Sequence, residues 1–229
     1  MKVDYPEFDE ERLYIILDAC RFDAFQEVIS KYDIHSSKLK CKYSYGRCTK
    51  EFYDNIPENK NLNIITANPY PYFVRFKFNK VIITSDVIPS HNIKEYKKIN
   101  PKNPTILHLI PPHVPWMGEK GKIAYKTFME KHGYKDGLHM KGPKRHFGPM
   151  SIEYKLFSYY GREKAWRYYT ENLDFGLKAI FDNLDKLPDN FIITSDHGNL
   201  FGEHGKWGHP NTIECSELRM VPWMEFHKE

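Results

Sequence analysis

The sequence predicts an α/β protein whose mainly parallel sheet is sandwiched between helices. Three observations predict it: short apolar runs fit buried strands, segments with helical spacing alternate with those runs, and polar residues follow several runs directly. Such alternation produces βαβ units, in which successive strands point the same way. The predicted strands are 13–17, 63–66, 80–84, 105–109, 191–194 and 220–226.

Helical spacing is found in three segments between these strands. Residues 21–32 place apolar side chains on one face, and a shorter helix is predicted at 49–55. A long helix is predicted at 163–187, where apolar residues recur three and four positions apart and Pro188 closes the segment. Residues 117–150 are rich in Gly, Lys and His and show no clear period. We expect a lid or substrate-binding insertion there, with a disordered surface loop as the alternative.

Length and composition restrict the classes of protein. A chain of 229 residues that is 41% hydrophobic is expected to form one domain, residues 1–229, with a sizeable core. The net charge is +4 and the lysines are scattered, which argues against nucleic-acid binding. The four cysteines form no C-x-x-C pair. A polar N-terminus and the lack of an apolar run of about 18 residues predict a cytoplasmic protein without a transmembrane segment.

The stretch 191–209 carries the strongest indication of function. A strand-like run leads into Asp196 and His197, and a glycine-rich segment with further histidines follows. Asp18 likewise follows the first predicted strand. Because the carboxyl ends of parallel strands share one edge of a sheet, these three side chains are expected to converge. Two carboxylates and an imidazole suit a divalent metal such as zinc, manganese or calcium, while helix N-capping is the alternative for Asp18.

Thr49 is the candidate nucleophile. It opens the predicted helix 49–55, where free N–H groups and the helix dipole favour a phosphate or sulfate group. A metal-activated threonine hydroxyl can attack phosphorus while Arg21 or Arg47 holds the remaining oxygens. The alternative is that Thr49 serves only as a helix N-cap.

His113 follows another predicted strand, within the stretch 108–116. Prolines on either side stop the strand and fix the path of the chain, which directs His113 toward the same sheet edge. Three roles remain open: a hydrogen bond to a substrate oxygen, protonation of a leaving group, and a place in a second metal site.

Taken together, these motifs resemble the alkaline phosphatase superfamily, most closely its sulfatase-like branch. They occur in the family's order across nearly the whole chain, and the Asp-His-Gly…Gly-Glu-His-Gly pattern is the most specific of them. The resemblance implies an alkaline phosphatase-like fold. The matching segments are 15–23, 44–52, 108–116, 194–205 and 217–223.

The resemblance also implies a role for each candidate residue. Thr49 would bridge the metal and the substrate and form a covalent intermediate, which water or an alcohol then releases. His113 would contact the transferred group. The implied metal ligands are Asp18, Thr49, Asp196 and His197. The residues assigned to the substrate are Arg21, Arg47, His108, His204 and His209.

Three departures from the family pattern narrow the expected chemistry. Cys48 is followed by Thr-Lys-Glu-Phe and not by the residues that true sulfatases need for formylglycine, which argues against a strict sulfatase. Ala19 stands where many members have a second acid, which favours a site of the phosphotransferase type. Leu109 stands where a two-metal phosphatase carries an aspartate. One divalent metal is therefore expected. The candidates for a second site are His108, His113 and His209.

The expected function is metal-dependent hydrolysis or transfer of phosphate esters, with sulfate esters next. The substrate would be an anionic ester, such as a glycan or a lipid-linked sugar. A sulfatase is one alternative, and a phosphomutase is a second, although it would need two metals and an inserted domain. The third alternative is a non-catalytic relative that binds an anion or a partner.

Overall fold

The sheet of the computed structural model has seven strands, in the order β2-β9-β6-β1-β5-β3-β4. The structure describes residues 5, 8, 11–34, 38–99, 102–134 and 152–228. Strand β9 runs antiparallel to both of its neighbours, and the other pairs are parallel. The strands are β1 Leu13–Leu17, β2 Lys38–Tyr43, β3 Asn59–Thr66, β4 Phe78–Ile83, β5 Thr105–Leu109, β6 Asn190–Ser195 and β9 Met220–His227. A separate hairpin pairs β7 Leu200–Phe201 with β8 Trp207–Gly208.

Helices cover both faces of this sheet. Ile15 of β1 packs in one core cluster with Phe25 and Leu173, whereas the next residue, Ile16, packs in a second cluster with Phe52. This alternation follows from the two-residue period of a strand. The helices are α1 Phe22–Ile29, α2 Thr49–Asn55, α3 Pro89–Tyr96, α4 Glu119–Lys131, α5 Ile152–Phe181 and α6 Ser216–Arg219, with 3₁₀ turns at Tyr70–Lys77, Leu184–Lys186 and Glu203–Gly205.

The predicted fold class is confirmed, and two helical predictions need correction. The helix predicted at 163–187 instead spans Ile152–Phe181 and is broken at Gly161, where φ is +74°. In the segment 117–150, residues Glu119–Lys131 form a helix whose Tyr125 and Phe128 are buried. The alternative of a disordered surface loop is therefore wrong for that part. Residues 135–150 lie outside the described residues, so a lid in this segment stays a prediction.

The sheet order determines where the site lies. β6, β1, β5 and β3 are consecutive neighbours, and their carboxyl ends form one continuous edge. Leu17 is paired with both Ser195 and Leu109, and Thr66 with His108. The polar residues that follow these strands therefore start from adjacent positions. Within the described residues, no helix combines the length and the apolar character that crossing a bilayer requires.

Candidate active site

Asp18 and Asp196 lie together at this edge, with His197 between them. Asp196 Oδ1 accepts hydrogen bonds of 3.0 Å from the N–H groups of Ala19 and His197. Its other oxygen lies 3.4 Å from His197 Nε2, and Asp18 Oδ1 lies 3.7 Å from the same nitrogen. Arg21, and not Asp18, occupies the N-cap position of α1. Asp18 therefore faces the sheet edge and does not cap the helix.

Several polar atoms in this group are buried without a hydrogen-bond partner. Among the described residues they include Asp18 Oδ1, Asp196 Oδ2 and His108 Nε2. Buried oxygens that lack a donor carry a high desolvation cost, which a bound cation removes. The Asp18, His108 and Asp196 side chains can each direct one ligand atom to a common point. The residues present therefore fit a divalent metal, and His108 joins the predicted ligands.

Hydrogen bonds fix the orientation of both histidine rings. His197 Nδ1 donates to the Gly198 carbonyl at 2.7 Å, which leaves the Nε2 lone pair directed at the carboxylates. His108 Nδ1 lies 2.9 Å from the Tyr53 hydroxyl, and its Nε2 lies 3.4 Å from Asp18 Oδ2. Partners of this kind set the tautomer of metal-ligating histidines. Both rings therefore have the orientation that metal ligation requires.

The electrostatics of the site keep Asp18 ionised. Burial opposes ionisation of Asp18, but His113, His108 and His197 outweigh it and hold the pKa of Asp18 far below its usual range. Burial also lowers the pKa of His197, which favours the neutral ring that binds metals.

Thr49 is the first residue of α2, and its hydroxyl points into the group. Thr49 Oγ1 lies 3.3 Å from His197 Nε2. Cys48, and not Thr49, occupies the N-cap position, and it makes no side-chain capping bond. The capping interpretation of Thr49 is therefore wrong, and its hydroxyl is available for chemistry.

Asn68 is a site residue that the sequence analysis did not identify. Its Nδ2 donates to Asp18 Oδ2 at 3.0 Å and lies 3.5 Å from Thr49 Oγ1. Asn68 follows β3, so it reaches the site from a fourth strand end. Asp18 was identified because residues that follow parallel strands converge at one sheet edge, and the same reasoning applies to Asn68.

A second group of ligand atoms contains His113, His209 and Glu153. His113 Nε2 lies 3.2 Å from His209 Nε2, and Glu153 Oε2 lies 3.0 Å from His209 and 3.6 Å from His113. The His197 and His209 ring centroids are 4.6 Å apart, so the two groups adjoin. Glu153 belongs to α5 and does not follow a strand, so no sequence signal indicated it.

Charges within this second group favour each other strongly. Burial opposes ionisation of Glu153, yet His113 and His209 outweigh it and lower its pKa to about 2. Burial similarly opposes protonation of His209, and Glu153 outweighs it and raises the pKa to about 9. The ionised Glu153 carboxylate and the His209 imidazolium therefore form a buried ion pair next to the first group.

Three residues assigned to substrate oxygens have carboxylate partners instead. Arg21 donates to Glu203 at 2.9 Å and to Asp23 at 2.9 Å. The remaining contacts are Arg47 with Glu51 at 2.8 Å and Glu214 at 3.4 Å, and His204 with Glu217 at 3.5 Å. Substrate binding by Arg21, Arg47 and His204 stays a prediction.

Comparison with known proteins gives matches among solved structures. No family model matches the chain, and no curated protein matches it. The C-terminal periplasmic domain of phosphoethanolamine transferase EptC from Campylobacter jejuni superposes with a TM-score of 0.56 at 16% identity, covering 93% of this chain and 78% of that one. The same domain of EcEptC from Escherichia coli, in complex with Zn, gives 0.54 at 12% identity and covers 99% and 76%.

A third similar structure is BT4656 in complex with its substrate, D-glucosamine-2-N,6-O-disulfate. It superposes with a TM-score of 0.52 at 12% identity and covers 96% of this chain and 71% of that one. At these identities the likeness establishes the fold and leaves the reaction to be argued from the site. The comparison thereby confirms the predicted α/β fold, which this chain shares with the periplasmic domain of phosphoethanolamine transferase EptC and with BT4656.

Proposed function

We propose that the protein transfers or hydrolyses phosphate esters, with a divalent metal as cofactor and Thr49 as the nucleophile. One observation carries this proposal: the Thr49 hydroxyl lies 3.3 Å from His197 Nε2, within a group that contains two buried carboxylate oxygens without donors. A hydroxyl in such surroundings is suited to ionisation by a metal and to attack on an electropositive phosphorus.

The proposed ligands are the buried side chains that share these unsatisfied atoms. A mixture of imidazole and carboxylate donors favours zinc, with manganese next and calcium, which prefers oxygen ligands, last. When bound, the metal would lower the pKa of the Thr49 hydroxyl and neutralise negative charge on the substrate. The proposed ligands are Asp18, Thr49, His108, Asp196 and His197.

The protein's own residues perform the remaining steps. Thr49 Oγ1 forms a bond to phosphorus, and the bond between phosphorus and the leaving-group oxygen breaks. The Asn68 amide, 3.5 Å from Thr49 Oγ1, hydrogen-bonds a non-bridging oxygen of the transferred group. His113 and His209, whose Nε2 atoms lie 3.2 Å apart, contact the transferred group from the side of the second group of ligand atoms. Water or an alcohol then displaces the group from Thr49.

Phosphate is the favoured group, and sulfate is the second candidate. Cys48 precedes Thr49 at the N-cap position of α2, but the residues that follow it are not those that a sulfatase needs for formylglycine. Burial raises the pKa of the Cys48 thiol, so the thiol stays protonated at neutral pH and is a poor nucleophile itself. One similar structure is named as a phosphoethanolamine transferase domain, which supports transfer of a phosphate-linked group. A glycan or a lipid-linked sugar is the proposed acceptor. The substrate of BT4656 is a sulfated sugar, which supports the second candidate.

Turnover of model esters tests this proposal. We expect metal-dependent release of p-nitrophenol from p-nitrophenyl phosphate or its diester, abolished by EDTA. Thr49→Ala should lower kcat at least about a thousandfold, whereas the adjacent Cys48→Ala should change it less than about threefold. Sulfate cleavage that requires Cys48 would instead support a sulfatase. Metal binding without turnover of any ester would support the non-catalytic alternative.

The predicted cytoplasmic location belongs to the proposal as well. The EptC and EcEptC domains in the comparison are periplasmic, so fractionation of expressing cells is the measurement that decides the location.

A further inference from the structure

Glu153 differs from the aspartates and histidines of the site because it comes from a helix, while they lie in a strand, follow strands or lie in loops. Its Oε2 and the two Nε2 atoms of His113 and His209 are separated by 3.0, 3.2 and 3.6 Å. Ligand atoms held about 2.0–2.1 Å from a tetrahedral zinc lie about 3.3–3.4 Å from one another. The three separations therefore bracket the edge length of a zinc site.

We propose that Glu153 is a metal ligand, and that with His113 and His209 it binds a second divalent cation. The chain has Leu109 where a two-metal phosphatase carries its aspartate, so the carboxylate comes from a different element. Two imidazoles and one carboxylate favour zinc over calcium or magnesium. The inference deepens the proposed function, because the second cation lies beside Thr49, but its test does not depend on turnover.

Contacts around Glu153 fix its carboxylate in one orientation, as is usual for a metal ligand. The side chain is 3% exposed, and its other oxygen, Oε1, accepts a 2.8 Å hydrogen bond from Asn199 Nδ2. Gly208 approaches closely, since a Cβ atom there would lie 3.2 Å from Oε2. The carboxylate is thus fixed with one oxygen directed at the histidines.

The His113 ring is fixed in the same way. Its Nδ1 donates to the Val114 carbonyl at 2.8 Å, so in the neutral ring the Nε2 atom carries a lone pair. That lone pair faces His209 Nε2 and Glu153 Oε2, which are themselves two potential acceptors. Three acceptors directed at one point need a cation between them, either a metal ion or a proton on His209. The separations fit a metal, and the proton on His209 is the alternative that the test must separate from it.

A metal at this position would fasten the first part of α5. Gly161 separates residues 152–160 from the rest of the helix, and Glu153 lies in that first part. Phe157 anchors it by stacking on Trp116 and Phe201, with ring centroids 5.6 and 4.9 Å away. Bound metal would join Glu153 to the two loops that carry His113 and His209. We therefore expect the cation to stabilise residues 152–160.

Metal counting on the full-length protein tests the inference. The protein is stripped with EDTA, dialysed against zinc and analysed for zinc per chain by mass spectrometry. We expect two zinc ions for the wild type, one for Glu153→Gln and one for Asp196→Asn, which removes a ligand of the other site. The glutamine has the shape of Glu153 and keeps an oxygen for Asn199, and His209→Asn serves as a second variant if Glu153→Gln does not fold.

Hydrogen exchange provides a second, independent readout. In wild type and in Asp196→Asn, zinc should slow amide exchange at residues 152–160, and in Glu153→Gln it should not. A zinc count that Glu153→Gln and His209→Asn leave unchanged would overturn the inference, and so would equal slowing in all proteins. A wild type that binds two zinc ions but turns over no ester would contradict the proposed function and leave this inference standing.

Discussion

The Thr49 hydroxyl oxygen lies 3.3 Å from Nε2 of His197, although 148 positions separate the two residues in the sequence. Thr49 begins α2 and His197 follows β6, so two distant elements bring the nucleophile and a metal ligand to one point. Asn68 reaches the same hydroxyl from the end of β3. Removing individual side chains of this group should therefore change catalysis, metal affinity or stability in distinguishable ways.

Removal of the Asn68 amide should slow catalysis without unfolding the protein. A hydrogen bond to a charged oxygen contributes about 1.5–3 kcal/mol, so Asn68→Ala should lower kcat/KM about 10–100-fold. Asn79→Ala is a matched control, because Asn79 donates to Asn63 and not to a site residue. Steady-state kinetics on a model ester measures both. Equal, small effects of the two substitutions would contradict a role for Asn68 in the transition state.

The Tyr53 hydroxyl should strengthen metal binding through His108. It lies 2.9 Å from His108 Nδ1, and loss of such a partner typically weakens metal affinity 10–100-fold. Tyr53→Phe should therefore raise the zinc dissociation constant by about that factor in a competition titration with a chelator. Tyr70→Phe removes a hydroxyl that bonds to Asp54 outside the site, and should leave the affinity unchanged. Unchanged affinity in Tyr53→Phe would show that His108 does not bind the metal.

The metal-free protein should be stabilised by neutralising one of its buried carboxylates. Asp196 Oδ2 is buried without a donor, so in the metal-free protein this oxygen carries a desolvation cost that no hydrogen bond offsets. Asp196→Asn keeps an oxygen for the Ala19 and His197 N–H groups and should raise the free energy of unfolding in EDTA by about 1–2 kcal/mol. Urea denaturation measures this difference.

The same variant should gain less stability from zinc, because a ligand that binds only the folded state stabilises it in proportion to its affinity. Two results would contradict the assignment of Asp196 as a metal ligand. One is an Asp196→Asn protein that is less stable than the wild type in EDTA, and the other is a variant whose free energy of unfolding rises with zinc as much as that of the wild type.

The ion pair between Arg21 and Glu203 should contribute stability that depends on pH. Burial would raise the pKa of Glu203, but hydrogen bonds from Arg21 and from the Phe201 N–H outweigh it and lower the pKa. A lowered pKa gives stability that is complete above the unfolded value of about 4.3 and is lost as the pH falls through the folded value. Glu203→Gln should therefore lose about 1–2 kcal/mol at pH 7 and progressively less in acid.

Denaturation of wild type and Glu203→Gln across this pH range is the measurement. A difference that grows as the pH falls would have the wrong sign. Because both side chains are mostly buried, at 10% and 12% exposure, solvent should screen this pair only weakly.

Strand patterns predicted the centre of the fold well. Asp18 and Asp196 follow apolar runs that became the adjacent strands β1 and β6, and parallel pairing alone brought them together. Strand β2 was missed because its lysines alternate with few apolar residues, as suits an edge strand that faces solvent. Its pairing with β9 depends on contacts remote in sequence.

Glu153 shows where sequence reasoning about the site stopped. Nothing in the local sequence distinguishes it from other glutamates of a helix, and its role depends on the fold placing α5 against the hairpin of β7 and β8. Asn68 is a different case, because its position after a predicted strand was visible and only its residue type made it inconspicuous. Residues that follow strands could be predicted, as could Thr49 at the start of a predicted helix, whereas Glu153 within α5 could not.

Trapping the covalent intermediate tests the central claim most directly. Zinc-loaded protein is mixed with p-nitrophenyl phosphate or its diester, quenched in acid within milliseconds to seconds, digested and analysed by mass spectrometry. The account predicts a transferred group on the peptide that contains Thr49, located at Thr49 by fragmentation, present in Cys48→Ala and absent in Thr49→Ala or with EDTA. Turnover with the adduct on another residue, or an adduct that persists in Thr49→Ala, would contradict it.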